Sequence, residues 1–226
     1  MKDFLLEVYN TLFDYYGPQN WWPGESFDEI VIGAILTQNT NWINVEKAIN
    51  NLKENDLCSL ESIIKLPITT SILPTLIKPS GYYNIKAKRL INTAQTINYP
   101  NFCSKNDNLD TLREKLLSIN GIGPETADSI LLYAYSQPIF VIDTYTKRLF
   151  SRIGLVDEKT SYQNFQKLFM ENLEHNTKLF NEYHALIVVH CKNKCKVKPI
   201  CSDCCLGNKK YENSFTKSIT SLCKSR

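Results

Sequence analysis

Residues 116–127 read Leu-Leu-Ser-Ile-Asn-Gly-Ile-Gly-Pro-Glu-Thr-Ala. Apolar residues at helical spacing run from Leu112 to Ile119, and a second helical pattern runs from Thr126 to Tyr135. Two glycines, one residue apart, make the turn between them. Gly121 and Gly123 lack a Cβ and can take positive φ, so a phosphate can approach the bare backbone N–H groups. Those amides open the second helix, whose N-terminus carries partial positive charge. Pro124 in its first turn sacrifices no needed hydrogen bond. Ile122 can pin the turn to the core. Gly121, Gly123 and Thr126 are therefore candidate DNA contacts, of a kind that holds a backbone without reading sequence. The plain alternative is a tight inter-helix turn with no ligand, because so short a motif is weak alone.

Helical patterns extend outward from this hairpin in both directions. Leu5, Leu6, Tyr9, Leu12, Phe13 and Tyr16 predict a first helix that stops at Gly17-Pro18. Ser26 is a predicted N-cap for a helix through Ile35, and Ser59 for a short one over 60–66. Further helices are expected from Trp42 to Leu52, Lys86 to Ile97, Asp143 to Ile153, Tyr162 to Leu173 and Leu179 to Cys191. Pro67, Pro74 and Pro79 punctuate a loop-rich stretch, and 99–110 is a polar linker. Strand-like alternation is scarce, so the fold class is all-α.

Of the 226 residues, 43% are hydrophobic and 22% charged, an ordinary globular composition. The formal charge of +3 is too small to announce a nucleic-acid partner. No apolar run approaches the ~18 residues of a membrane span, and the N-terminus lacks a signal-peptide core. A cytoplasmic protein without membrane contact is expected. Five of the eight cysteines fall between Cys191 and Cys205, which suits a metal site better than disulfides in a reducing compartment.

After the hairpin comes Pro138-Ile139-Phe140-Val141-Ile142-Asp143-Thr144-Tyr145, an apolar run ending in an acid at a helix start. With this segment the chain resembles the endonuclease III superfamily of DNA glycosylases, which share a helix-hairpin-helix, a Gly/Pro-rich loop and a following Asp. The resemblance spans about Val31 to Cys204. Leu36-Thr37-Gln38-Asn39-Thr40 resembles the helix end that carries a Gln into the DNA. Gly81-Tyr82-Tyr83-Asn84-Ile85-Lys86-Ala87 resembles the wedge loop, and 183–188 the helix before the cluster loop. The resemblance implies two helical lobes with a cleft between them, one at about 26–135 and the other built from 1–25 with 136–226. It implies double-stranded DNA with a damaged base as partner, a monomeric enzyme, and Asp143 as the catalytic carboxylate.

Bifunctional members carry a Lys after the hairpin that attacks the sugar. Glu125 stands at that position here, and a carboxylate cannot form a Schiff base. A monofunctional enzyme using water is therefore expected, with Lys147 the nearest other amine in sequence. The Gly-Ile-Gly-Pro-Glu wording and Trp21-Trp22-Pro23 are similar to a bacterial branch that includes a 3-methyladenine DNA glycosylase. This implies a base pocket of Trp21, Trp22 and Trp42, with Glu125 a further candidate. Electron-rich aromatic faces favour a cationic alkylated purine over a neutral base. Core packing is the bland reading of the tryptophans, and an N-cap that of Asp143.

An extruded base leaves a gap in the stack. Tyr82 is the expected wedge, and Gln38 the group that meets the orphaned partner base. Lys86, Lys88, Arg89, Lys147 and Arg148 are candidate phosphate contacts. Cys195, Cys201 and Cys204 are similar to ligands of the superfamily's [4Fe–4S] loop. The position of the fourth thiolate in relatives is Lys210 here, which leaves Cys205, Cys191 and Cys223 as candidates, with zinc the alternative occupant. A monovalent cation at the hairpin is also expected. Two other readings remain open: an endonuclease III-type enzyme acting on oxidised or mismatched pyrimidines, and a DNA-binding module without chemistry.

Overall fold

A computed structural model describes residues 1–21, 24–98, 102 and 107–207. Trp22, Cys223, Lys210 and most of the 99–110 linker lie outside the described residues. Eleven α-helices and one 3-10 turn make up the regular structure among them, with no strand. None of these helices is long and apolar enough to cross a membrane. The chain divides into two units, 22–137 and Met1–Trp21 with the chain from Pro138 onward.

The 22–137 unit holds α2 (Phe27–Leu36), α3 (Trp42–Glu54), α4 (Leu60–Ile64), α5 (Ile72–Leu76), a 3-10 turn (Lys78–Ser80), α6 (Tyr83–Ile97), α7 (Leu109–Leu117) and α8 (Pro124–Tyr133). Helix α2 is apolar nearly all round, so it is central. Ile30, Val31, Ile32, Ile35 and Leu36 are buried, and α3, α6 and α8 pack on it. Full burial of each such side chain stabilises by about 1.5–3 kcal/mol. Ser26 and Ser59 cap α2 and α4 by accepting from the N–H groups of Glu29 and Ser62, as their positions predict. The proline-punctuated stretch departs from expectation. Pro74 sits inside α5, where the first turn leaves N–H groups without intrahelical partners and a proline costs little.

The other unit holds α1 (Lys2–Tyr16), α9 (Thr144–Arg152), α10 (Tyr162–Met170) and α11 (Thr177–Asn193). Gly17, at φ 69°, ends α1 where the sequence places the stop. The core is aromatic. Phe140 stacks on Phe169 at 4.0 Å between ring centres and meets Phe180 and Tyr183 edge-on. The buried Tyr183 hydroxyl donates to Leu5 O at 2.7 Å, which fastens α11 to α1 without an orphaned polar group.

Candidate active site

The segment 139–142 is buried, so the chain enters α9 from the core at Asp143. Asp143 is the N-cap of α9, and the Thr146 N–H donates to its Oδ1 at 2.7 Å. His184, buried on α11, places Nε2 3.4 Å from Oδ2. Burial by itself would push the carboxyl up; His184 and the bonds from Thr146 outweigh it and hold Asp143 below the usual carboxylate range. The capping role and an ionised carboxylate thus hold together. Trp21 lies beside the same histidine, ring centres 5.9 Å apart. The chain before it is fixed by Glu182 of α11, whose carboxylate accepts from the Gln19 and Asn20 N–H groups. Asp143, His184 and Trp21 therefore form one cluster within one unit. His184 was not among the residues singled out from the sequence. Its signal is that two of the three histidines lie on the helix before the cysteine loop.

In the other unit, Gly121 has φ 95°, the left-handed conformation that a glycine takes without strain. A Cβ there would stand 2.5 Å from Arg89 Cγ, so the turn also needs glycine for close packing. Gly123 differs from expectation. It is an extended N-cap with φ −95°, and open space where its Cβ would be is what leaves its backbone approachable. No side chain caps the N-terminus of α8. Arg113 on α7 forks onto the fully buried Asp128 of α8 at 2.7 and 3.2 Å, locking the two hairpin helices together.

Several basic and polar residues expected at DNA make contacts inside the protein. Lys86 is 1% exposed, and its Nζ donates at 2.7 Å to Leu36 O, Thr40 Oγ1 and Ser80 O. Its pKa is pulled down to about 8 by burial and by Arg89. A buried ammonium with three oxygen partners has nothing left for a phosphate, so the expected contact is corrected to a staple that joins the end of α2 to Thr40 and Ser80. Gln38 donates to Gly121 O at 2.9 Å and Thr126 Oγ1 at 3.0 Å, while Arg89 donates to its Oε1. Gln38, Thr126 and Arg89 thus brace the hairpin. The Ile119, Asn120 and Gly121 carbonyls each accept from a protein N–H, so a monovalent cation would have to share them. Arg148 donates to Cys195 O at 2.8 Å and covers the Tyr145 ring. Lys88 is exposed and Lys147 half-buried.

Tyr82, the expected wedge, stands at the surface. It is 68% exposed at the N-cap of α6 with φ 46°, a conformation rare for a bulky residue and concentrated at functional sites. Trp42 opens α3 half-buried, and Glu125 is exposed in the first turn of α8. These positions belong to the 22–137 unit, while Asp143 and Trp21 belong to the other.

Cys195, Cys201 and Cys204 line one open pocket of about 40 Å³, together with His190, Arg152 and Leu206. His190 is fully buried, and burial takes its pKa down to about 4, so the imidazole is neutral. A hydrogen bond from Cys191 and the Arg152 guanidinium hold the Cys195 thiol below its ordinary value against the cost of burial. Cys205 is not among the lining residues; Cys191, hydrogen-bonded to Cys195, also lies 3.5 Å from Tyr145 O.

The chain matches, over residues 32–175, the model of the HhH-GPD superfamily of base excision DNA repair proteins. A Methanocaldococcus jannaschii protein with the provisional name DNA repair glycosylase is 52% identical, over 89% of this chain and 93% of that one. Endonuclease III of Sulfolobus acidocaldarius is 31% identical over 77% of each chain. The solved structure of the Helicobacter pylori 3-methyladenine DNA glycosylase bound to 1,N6-ethenoadenine superposes with a TM-score of 0.67 at 29% identity, covering 83% of this chain and 97% of that one. An all-helical fold, an Asp-capped helix after a glycine hairpin, and these relatives agree: the chain belongs to the HhH-GPD superfamily of base excision DNA repair glycosylases.

Proposed function

We propose that this glycosylase is monofunctional and releases alkylated purines from double-stranded DNA by hydrolysis. The observation that carries the reading is the ionised, half-buried Asp143 carboxylate set beside His184 and Trp21. As the bond between C1′ and the base nitrogen breaks, its electron pair leaves with the base and positive charge builds on the sugar. A fixed carboxylate stabilises that charge at no reorganisation cost. Water then bonds to C1′, and its proton passes to Asp143 or to solvent. An alkylated purine is already cationic, and taking the electron pair neutralises it, so strong general-acid help is not required. The Trp21 face favours such a cation. The 29% identical Helicobacter pylori relative is by name a 3-methyladenine glycosylase, which supports this substrate class.

On the other unit, the exposed Tyr82 is proposed as the wedge, and the Gly121–Gly123 turn, open at Gly123, as a phosphate site. Lys88 and Lys147 remain candidate phosphate contacts, and Trp42 and Glu125 candidate base contacts. Glu125 supports the absence of lyase chemistry, because no amine stands there to attack C1′. Cys195, Cys201 and Cys204 are proposed to hold a [4Fe–4S] cluster, which would order the 194–204 loop. Arg148 and Arg152 already grip that loop through Cys195 O and Val197 O.

The test is base release from duplexes carrying 3-methyladenine, 7-methylguanine or an oxidised pyrimidine, with parallel borohydride trapping. Release of the methylated purines, leaving alkali-labile sites and no covalent adduct, is expected. Release confined to the oxidised pyrimidine, or a trapped adduct, would overturn the reading in favour of an endonuclease III-type activity like that named for the Sulfolobus relative.

A further inference from the structure

A base turned out of the duplex leaves its partner without a mate, and Gln38 has no hydrogen left to donate to it. Both hydrogens of its amide are engaged, by Gly121 O and Thr126 Oγ1, and its carbonyl accepts from Arg89. We infer that Asn39, the next residue, is the group that meets the orphaned base. The inference rests on the reading above, in which a purine leaves and the orphan is thymine or cytosine.

Asn39 lies in the turn between α2 and α3, exposed and with φ 53°. Asparagine visits this left-handed region because its short side chain can bond locally. Here it does not: among the described residues the Asn39 side-chain amide has no hydrogen-bond partner. The turn is also fixed beside the wedge loop. Thr40 Oγ1 donates to Ser80 O, and Lys86 Nζ donates to Leu36 O, Thr40 Oγ1 and Ser80 O. Asn39 precedes one anchored residue, and Tyr82 follows the other by two positions. Both are exposed and both have left-handed backbones, a conformation that concentrates at functional sites. Tyr82 can hold the stack open while the amide faces the edge of the orphan. An amide suits either pyrimidine, because it offers a donor and an acceptor side by side. Against thymine, Nδ2 donates to O4 and Oδ1 accepts from N3–H. Against cytosine, a half-turn of the amide lets Oδ1 accept from the N4 amine and Nδ2 donate to N3.

The experiment measures Kd at fixed salt for the full chain as wild type, Asn39→Gly and Gln38→Ala. Glycine keeps the left-handed backbone without strain and removes the amide. The probes are three duplexes in which a tetrahydrofuran residue, standing for the extruded nucleotide, lies opposite thymine, cytosine or a second tetrahydrofuran. Two ordinary hydrogen bonds correspond to about a tenfold change in affinity. Asn39→Gly should therefore bind the thymine and cytosine duplexes about tenfold more weakly than wild type, and the duplex without an orphan as wild type does. Gln38→Ala should weaken all three alike, because it loosens the hairpin. Equal weakening of all three by Asn39→Gly would make Asn39 a backbone contact and overturn the assignment, as would no weakening at all. A loss confined to the two orphan-bearing duplexes in Gln38→Ala, and absent in Asn39→Gly, would return the role to Gln38. Tetrahydrofuran carries no base, so an error in the class of released base shows in the release panel above and leaves these affinities unchanged.

Discussion

Replacing Lys86 by Met keeps an unbranched apolar side chain as far as Cε and removes the charged Nζ. The three oxygens it serves then fare differently. Thr40 Oγ1 also donates to Ser80 O, so those two retain each other. Leu36 O, at the C-terminal end of α2, loses the ammonium. A buried acceptor left without its partner costs about 1–3 kcal/mol, and hydrogen bonds from a charged donor are worth about 1.5–3 kcal/mol each. Relief of the desolvation that drags Lys86 down to about 8 offsets part of this. A net loss of about 2–4 kcal/mol follows, or roughly 4–16 °C in Tm for a chain of this size. The assay is urea denaturation at pH 7 and pH 9.5. Because the folded pKa lies below that of an unfolded lysine, the unfolded chain binds more protons between about 8 and 10.4, so wild-type stability rises across that window. The gap to Lys86→Met should therefore widen at pH 9.5. The salt dependence of duplex affinity should stay unchanged, whereas loss of a real phosphate contact lowers its slope by about 0.9. A destabilisation under about 0.5 kcal/mol, near the scatter of a surface substitution, would refute the staple, as would a shallower salt slope.

Arg113→Met should destabilise by about 3–5 kcal/mol in the same assay, because it strips the forked cation from the fully buried Asp128; a loss under about 1 kcal/mol, the scale of a surface pair, would contradict that. Gly121→Ala should cost at least about 1–2 kcal/mol from the left-handed backbone and should weaken duplex binding, since the new Cβ displaces Arg89 from beneath the hairpin. Unchanged stability and affinity would show that the turn is not held as described. The Asp143 carboxyl, followed by 13C NMR, should titrate below the ordinary value of about 3.9. Its lowered pKa contributes stability at higher pH that is lost as pH falls through the folded value; a midpoint above 3.9 would contradict the His184 and Thr146 contacts.

What could be read from the sequence was what local chemistry decides. Ser26, Ser59 and Asp143 announce helix starts because a cap acts within three residues. Gly17 and Gly121 mark turns because only the backbone decides there. The superfamily match rests on such local motifs. What stayed hidden depends on partners far along the chain. Lys86 looked like a surface lysine after a loop, yet its acceptors come from residues 36, 40 and 80. Gln38 and Arg89 are bound to a hairpin more than 30 residues away, contacts that no local pattern announces. His184 and His190 lie on an apolar helix where a histidine has no local signature. Only the packing of α11 brings His184 to the Asp143 cap and His190 to the cysteine loop.

The most direct measurement is single-turnover base release by Asp143→Asn on a methylated-purine duplex, with duplex affinity measured alongside. Asn is as good an N-cap as Asp, so the fold and the affinity should hold while the rate falls about 100- to 1,000-fold. Base release at the wild-type rate from a folded Asp143→Asn protein would contradict the assignment of the chemistry to this carboxylate.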